Sequence, residues 1–480
     1  MPGRPNPAGR IRRHARVVYD SRVDARPRRR QWLRRAALFL ILGYAAFLRF
    51  DRITSTPPGL YRDEAMNGNN ALKALETGHF AVFYPEDNGR EGLYINVAAA
   101  FVARFGNQAW ALRLPAAIFG VLTVGGVYLA GAEWFGGWTG LAAAFFLATS
   151  FWHVNFSRIG LRAIAAPCFL AWAVYLLAAG MRRGKWWAAA AGVVYGLGFY
   201  TYLAYRTTPL LMAAILWRAT ARVRWVFSLT AAGAAAPLAW YFAGHPGSFW
   251  GRAGQLWVGT SAHPAAELAR NTWRTARMFF RHGDGNWRHN IAWRAELFWP
   301  VAALFAAGVV VAAVRARRGN YGLALAWLAA AGLPVVFSDE MLPHALRSLL
   351  MAPAVFLLAA VGVREVYTRL AEKLSRRAVN LATAMAALWL AWEPYHSYFE
   401  VWARNAKVPP AFDASAMELA RRVPGTAGEK TVIVPEADPA AAWPVMFLTG
   451  SYTENQRREK GIRYVTRGGA TELRLEGGGR

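Results

Sequence analysis

The sequence predicts an all-α integral membrane protein, a polytopic helical bundle of about eleven spans. Three observations carry that class. The 480 residues are 55% hydrophobic and 14% aromatic, with 22 Trp; that much apolar mass suits a soluble core or a bilayer equally well. Its distribution decides between them, because apolar stretches approaching the roughly 20 residues needed to cross about 30 Å of hydrocarbon recur between charged clusters. The formal charge of +28 also comes in short bursts between those stretches, as the positive-inside rule distributes Lys and Arg around cytoplasmic loops. A nucleic-acid partner is not expected, since the basic residues gather on no recognisable binding module. Cys168 is the single cysteine, so an intramolecular disulfide and a cysteine-based metal site are excluded.

Taken in order, residues 1–32 are rich in Arg and Pro and too poor in apolar residues to fold alone, which predicts a disordered cytoplasmic tail. The first apolar stretch, 36–48, is short for a span unless Arg34, Arg35 and Arg49 snorkel to the headgroups. A long polar interval, 51–112, encloses a short apolar helix over 92–105. Its apolar run of about 13 residues assigns it to the membrane surface, as an outer-face juxtamembrane helix. Further spans are predicted at 113–132, 139–153, 163–181, 186–203, 207–217, 225–243, 297–314, 321–337, 348–363 and 379–392. Alternating across them places the arginine clusters at 182–185, 218–224, 315–318 and 364–377 on the side of the N-terminal tail, hence the cytoplasm. The loops 51–112, 155–162, 204–206, 244–296 and 338–347 then share the extracytoplasmic face with everything after 393. The segment 394–480 has a helical piece near 414–423, a strand-like 430–435 and a Gly-rich end, which predicts a small α/β or partly disordered appendage to the 33–393 membrane domain.

Pro57-Pro58-Gly59 cannot continue a helix, so the chain turns there. Good helix formers from 63 to 77 predict a short surface helix after the turn. At its start stands Leu60-Tyr61-Arg62-Asp63-Glu64-Ala65-Met66-Asn67, two adjacent carboxylates beside an arginine in a very apolar chain. On a helix they point about 100° apart, so one of them faces a given cavity. Asp63 is expected to do so at the membrane surface; a solvated helix N-terminus favoured by the dipole accounts for the same pair without chemistry.

This stretch resembles the first outer loop of the polytopic GT-C glycosyltransferases of the protein O-mannosyltransferase and aminoarabinose-transferase type. The similarity continues through Gly89-Arg90-Glu91-Gly92-Leu93-Tyr94, Ala111-Leu112-Arg113-Leu114-Pro115, residues 153–167, Gly198-Phe199-Tyr200-Thr201-Tyr202 and Pro343-His344-Ala345-Leu346-Arg347-Ser348. It spans roughly 33–363 and rests on the order and common sidedness of these motifs. The resemblance implies transfer of a sugar from a polyprenyl-phosphate donor to a lipid, glycan or protein acceptor at the outer face, with Asp63 catalytic. Residues 157–162 lack the further acidic residue that aminoarabinose-transferase-like members carry near their second outer loop.

Elementary chemistry supports a carboxylate there independently. Inverting sugar transfer needs a base on the acceptor hydroxyl while the phosphate leaves from the opposite face, and Asp63 or Glu64 supplies one. Glu91 is a further catalytic candidate, to orient the acceptor or hold a divalent cation with Asp63. No close His and carboxylate set with zinc-ligand spacing is seen in the sequence. A lipid-phosphate leaving group calls for guanidinium or imidazolium, and Arg158, Arg162, Arg206, His344 and Arg347 all adjoin predicted spans on the outer face. Tyr61, Arg62, Asn67, Arg90, Tyr94, Tyr200 and Tyr202 complete the set as substrate contacts, although tyrosines at span ends are commonly interfacial anchors. A flippase for lipid-linked saccharides would use the same arginines, but it predicts ionisable residues along a crossing path, and the spans contain few.

Overall fold

The computed structural model describes residues 27–255, 257–339, 342–426, 428 and 430–477. Most of the expected N-terminal tail, residues 1–26, lies outside them. Each expected span coincides with a helix, and four helices are long and apolar enough to cross a membrane: Ala109–Phe135, Arg162–Arg183, Ala221–Gly244 and Ala345–Lys373. Others are shorter, such as Gly137–Ala148 with 12 residues and Tyr321–Val336 with 16. At 1.5 Å per residue the first reaches only about 18 Å, short of the roughly 30 Å of a bilayer's hydrocarbon core.

Small residues bring the helices together. A Cβ on Gly308 would lie 1.8 Å from the Leu358 carbonyl oxygen, and one on Gly362 would lie 1.9 Å from that of Leu304. The helices Trp299–Val314 and Ala352–Lys373 therefore meet backbone to backbone, as small residues allow where apolar packing supplies the cohesion.

The bundle has two chemically distinct ends. At one, Arg218 donates to the Gly319 carbonyl at 2.7 Å, Arg364 to the Phe135 carbonyl at 3.1 Å, and Arg315 pairs with Glu365 at 3.0 Å. These belong to the loops expected beside the N-terminal tail. At the other end gather the loops holding Asp63, Arg162, Arg206 and Arg347.

Arg49 does not snorkel. It is wholly buried, donating to the carbonyls of Ala45 and Ala148 at 3.0 and 3.3 Å and meeting His153 Nδ1 at 2.8 Å. Those acceptors turn it inward, because a guanidinium deep in the bundle must be satisfied locally.

The helix after the Pro-Pro-Gly turn, Arg62–Thr77, is not a surface helix either: ten of its residues are buried. The C-terminal segment covers it. Phe447 lies 2.4 Å from where a Gly68 Cβ would stand, and Asn69 donates to the Trp443 carbonyl at 3.1 Å. That segment is α/β: strand Lys430–Pro435 runs parallel to Ile462–Arg467 and antiparallel to Arg474–Gly477, with helices Ala414–Arg422, Trp443–Thr449 and Glu454–Lys460 around it.

Candidate active site

The site is built on a short hairpin beside the Arg62–Thr77 helix. Strands Phe83–Tyr84 and Arg90–Glu91 pair antiparallel, with Phe83 opposite Glu91 and Tyr84 opposite Arg90. Asp87, Asn88 and Gly89 all take positive φ to close it, and a Cβ on Gly89 would strike the Phe83 ring at 2.4 Å. Because successive side chains of a strand point oppositely, Arg90 and Glu91 serve two different clusters.

Arg90 turns toward the helix. It donates to the Asp63 carbonyl at 2.9 Å and to Asn67 Oδ1 at 2.8 Å, pairs with Asp87, and stands 3.8 Å from the Asp63 carboxylate. Burial draws its pKa down to about 10, against the pull of Asp63. The Asp63 side chain keeps 41% of its surface exposed, so its carboxylate is held from one side and open on another. Asn67 also donates to the Gly160 carbonyl at 2.9 Å; it ties the helix to the 157–162 loop.

Glu91 turns the other way, to Arg162 at 3.1 Å and Arg206 at 3.6 Å. Arg162 also lies over the Tyr202 ring, while Arg206 stacks on Phe249 and Phe242 and donates to the Phe249 carbonyl at 2.7 Å. Arg347 hydrogen-bonds Ser338 and the Tyr202 hydroxyl. Thus Arg162, Arg206, Arg347 and Tyr202, from three separate segments, share one neighbourhood, and Arg162 reaches Arg90 electrostatically. Arg90 faces the carboxylates of Asp63 and Asp87, Arg162 and Arg206 face Glu91, and Arg347 stands beside them on Tyr202, so four guanidinium groups gather with three carboxylates.

Other predicted residues are committed elsewhere. Glu64 is fully buried, chelated by Arg113 at 2.9 and 3.1 Å and accepting from the Gly160 N–H at 2.7 Å. Both its oxygens are spent, so it is a fastener of the loop rather than a second base. Arg158 gives its donors to the carbonyls of Leu48, Asp51 and Thr56 and lies against the rings of Tyr398 and Phe399, which removes it from phosphate binding. Arg62 donates to both oxygens of Asp438 at 2.7 and 2.9 Å and to Asp413 at 3.3 Å. Tyr94 is sealed in the core with its hydroxyl on the Leu112 carbonyl at 2.6 Å, and Tyr200 donates to the Ala234 carbonyl at 2.9 Å. Tyr61 is half-buried beneath the Arg288 guanidinium, 3.5 Å from its ring centre.

The structure does not support a cation shared by Asp63 and Glu91, since Glu91 gives both oxygens to arginines. His344 belongs to a different group, with Asp284 and His289. Burial would raise the Asp284 carboxyl, but the His289 hydrogen bond at 2.8 Å prevails and holds it low; burial lowers His344 to about 3. Sequence reasoning missed Arg113, Arg288, Asp413 and Asp438, which lie in the Ala109–Phe135 helix, a distant loop and the C-terminal segment and join the site only through the fold. Arg113 alone carried a signal, as the cation of the quoted Ala-Leu-Arg-Leu-Pro motif.

Residues 93–242 match the family model of dolichyl-phosphate-mannose-protein mannosyltransferases. Comparison with curated proteins gives no match. Among solved structures the fold is similar to ArnT from Cupriavidus metallidurans bound to undecaprenyl phosphate, at 12% identity and TM-score 0.53, covering 91% of this chain and 90% of that one. The apo ArnT gives 14% and 0.56, over 90% and 89% of the two chains. The archaeal oligosaccharyltransferase AglB from Archaeoglobus fulgidus, in complex with an inhibitory peptide and a dolichol-phosphate, gives 14% and 0.52; there 82% of this chain matches 58% of that one. The resemblance read from the sequence motifs is therefore borne out, in fold over most of the chain and in a match to the family model over 93–242.

Proposed function

We infer that this chain is a GT-C membrane glycosyltransferase that takes a sugar from a polyprenyl-phosphate carrier and passes it to a nucleophile on a lipid, glycan or protein acceptor. One observation carries the reading: a half-open Asp63 carboxylate beside buried Arg90 adjoins an arginine cluster drawn from separate loops at the same end of the bundle. Asp63 takes the proton from the acceptor hydroxyl as its oxygen bonds to the sugar's anomeric carbon. The bond from that carbon to the phosphate oxygen breaks, and Arg162, Arg206 and Arg347 receive the anionic carrier. Guanidinium suits this role because it offers planar, paired donors to phosphate oxygens. Arg90 holds Asp63 in place through its backbone carbonyl and stands beside its carboxylate. Base and leaving group on opposite sides of the sugar give inversion.

In this reading the N-terminal tail faces the cytoplasm, about eleven spans follow, and the Asp63 end with the 394–480 appendage is extracytoplasmic. Membrane lipid surrounds the bundle. Purified protein with radiolabelled polyprenyl-phosphate sugars tests it: covalent label transfer that Asp63→Asn abolishes is the expected outcome. Label that crosses a vesicle bilayer untransferred would instead establish a flippase, and turnover retained by Asp63→Asn would remove the base.

A further inference from the structure

The loop after the Pro264–Met278 helix carries a polar cluster that sugar transfer does not use. Asp284 and His289 lie five residues apart in that loop, and His344 stands just before the helix beginning at Ala345. One ligating atom from each, a carboxylate oxygen and two imidazole nitrogens, falls within 4.8 Å of the others. Among the described residues this is the sole group of three or more such side chains.

Two features distinguish the cluster from ordinary packing. His344 Nδ1 is buried without a hydrogen-bond partner, an arrangement that costs free energy unless something binds there. The other ligands are braced from outside. Asp284 accepts the backbone N–H groups of Asn286 at 2.8 Å and Ala345 at 2.9 Å. The His289 ring rests on Phe156, 5.4 Å between centres, and faces His344 at 5.1 Å. Behind them buried Glu296 accepts the Asp284 N–H at 2.9 Å. Arg288, the residue before His289, is turned onto Tyr61. Such outer hydrogen bonds are what orients ligands around a metal.

We propose that Asp284, His289 and His344 bind a zinc-type divalent ion that pins the 279–298 loop to the turn before Ala345. Two imidazoles and a carboxylate favour zinc or a neighbouring first-row ion over magnesium or calcium, which prefer all-oxygen sites. Tetrahedral zinc with bonds near 2.0–2.1 Å sets its ligand atoms roughly 3.3 Å apart, so closing the widest gap needs no more than about 1.5 Å shared among three side chains. On binding, the Asp284 oxygen and the His289 nitrogen exchange their mutual hydrogen bond for bonds to the ion, and the ring proton moves to the other imidazole nitrogen, so that His289 binds as its neutral tautomer. The ion thereby steadies Arg288 over Tyr61, two residues from Asp63. The proposal is independent of the transfer chemistry, since Asp63 is not a ligand.

Cobalt(II) is the probe, added to full-length detergent-purified protein after chelator treatment. The wild type is expected to bind one ion per chain with visible d–d absorption, to lose that absorption on adding zinc, and to melt at a higher temperature with metal than without. His289→Ala and His344→Ala should each weaken binding at least tenfold. His344→Cys should keep the ion and gain a thiolate-to-cobalt band, a signature that only a ligand at position 344 produces and that does not depend on the alanine variants folding. A wild type that takes up no cobalt, or a His344→Cys protein whose spectrum matches the wild type, overturns the assignment.

Discussion

The guanidinium of Arg90 stands 3.8 Å from the Asp63 carboxylate and donates to the Asp63 backbone carbonyl at 2.9 Å. One buried side chain thus fixes both the position and the charge environment of the proposed base. Arg90→Ala should lower kcat by roughly 10²–10³ with modest change in KM, the scale on which a mispositioned catalytic group is felt. Arg90→Lys should recover part of that loss, because it restores charge without the forked contact to Asn67. Transfer rates at saturating donor check both.

Asp63 and Glu64 should part company under substitution. Asp63→Asn leaves the fold intact and removes a base worth about 10²–10⁴ in rate. Glu64→Gln leaves the buried Arg113 uncompensated, which costs about 3–5 kcal/mol for a broken interior pair. Melting temperature should fall for Glu64→Gln and stay near wild type for Asp63→Asn, while the folded Glu64→Gln fraction retains turnover. Detergent-stable thermal unfolding beside rate measurement separates the two.

The arginines should also sort by where their donors go. Arg162→Ala and Arg206→Ala should each raise KM for the lipid-linked donor roughly 10–100-fold, the worth of about 1.5–3 kcal/mol in a charged hydrogen bond. Arg158→Lys should leave that KM unchanged and lower the melting temperature instead, since Arg158 satisfies the carbonyls of Leu48, Asp51 and Thr56. Donor titrations of the three variants check the assignment.

Arg62 links the proposed base to the C-terminal appendage through Asp413 and Asp438. Both pairs are partly exposed, so each contributes no more than about 1 kcal/mol to stability. The combined change Asp413→Asn with Asp438→Asn should therefore leave helix content unaltered yet slow transfer, by loosening the helix that bears Asp63. Circular dichroism and single-turnover rates on the same preparation are the measurements.

The sequence by itself determined what depends on local pattern. Apolar length and arginine spacing marked the helices, and Pro-Pro-Gly marked the turn before Asp63, because these follow from backbone chemistry and solvent partition along the chain. The motif order pointed to the fold. Adjacent carboxylates or similar arginines cannot be told apart that way, because the partner that decides a charged group's role is usually distant in sequence. Only the tertiary structure spent Glu64 on Arg113, Arg62 on Asp413 and Asp438, and Arg158 on three carbonyls, while leaving Asp63 half open. It also joined His344 to Asp284 and His289, 60 and 55 positions earlier in the chain, an encounter set by helix packing with no trace in the local sequence.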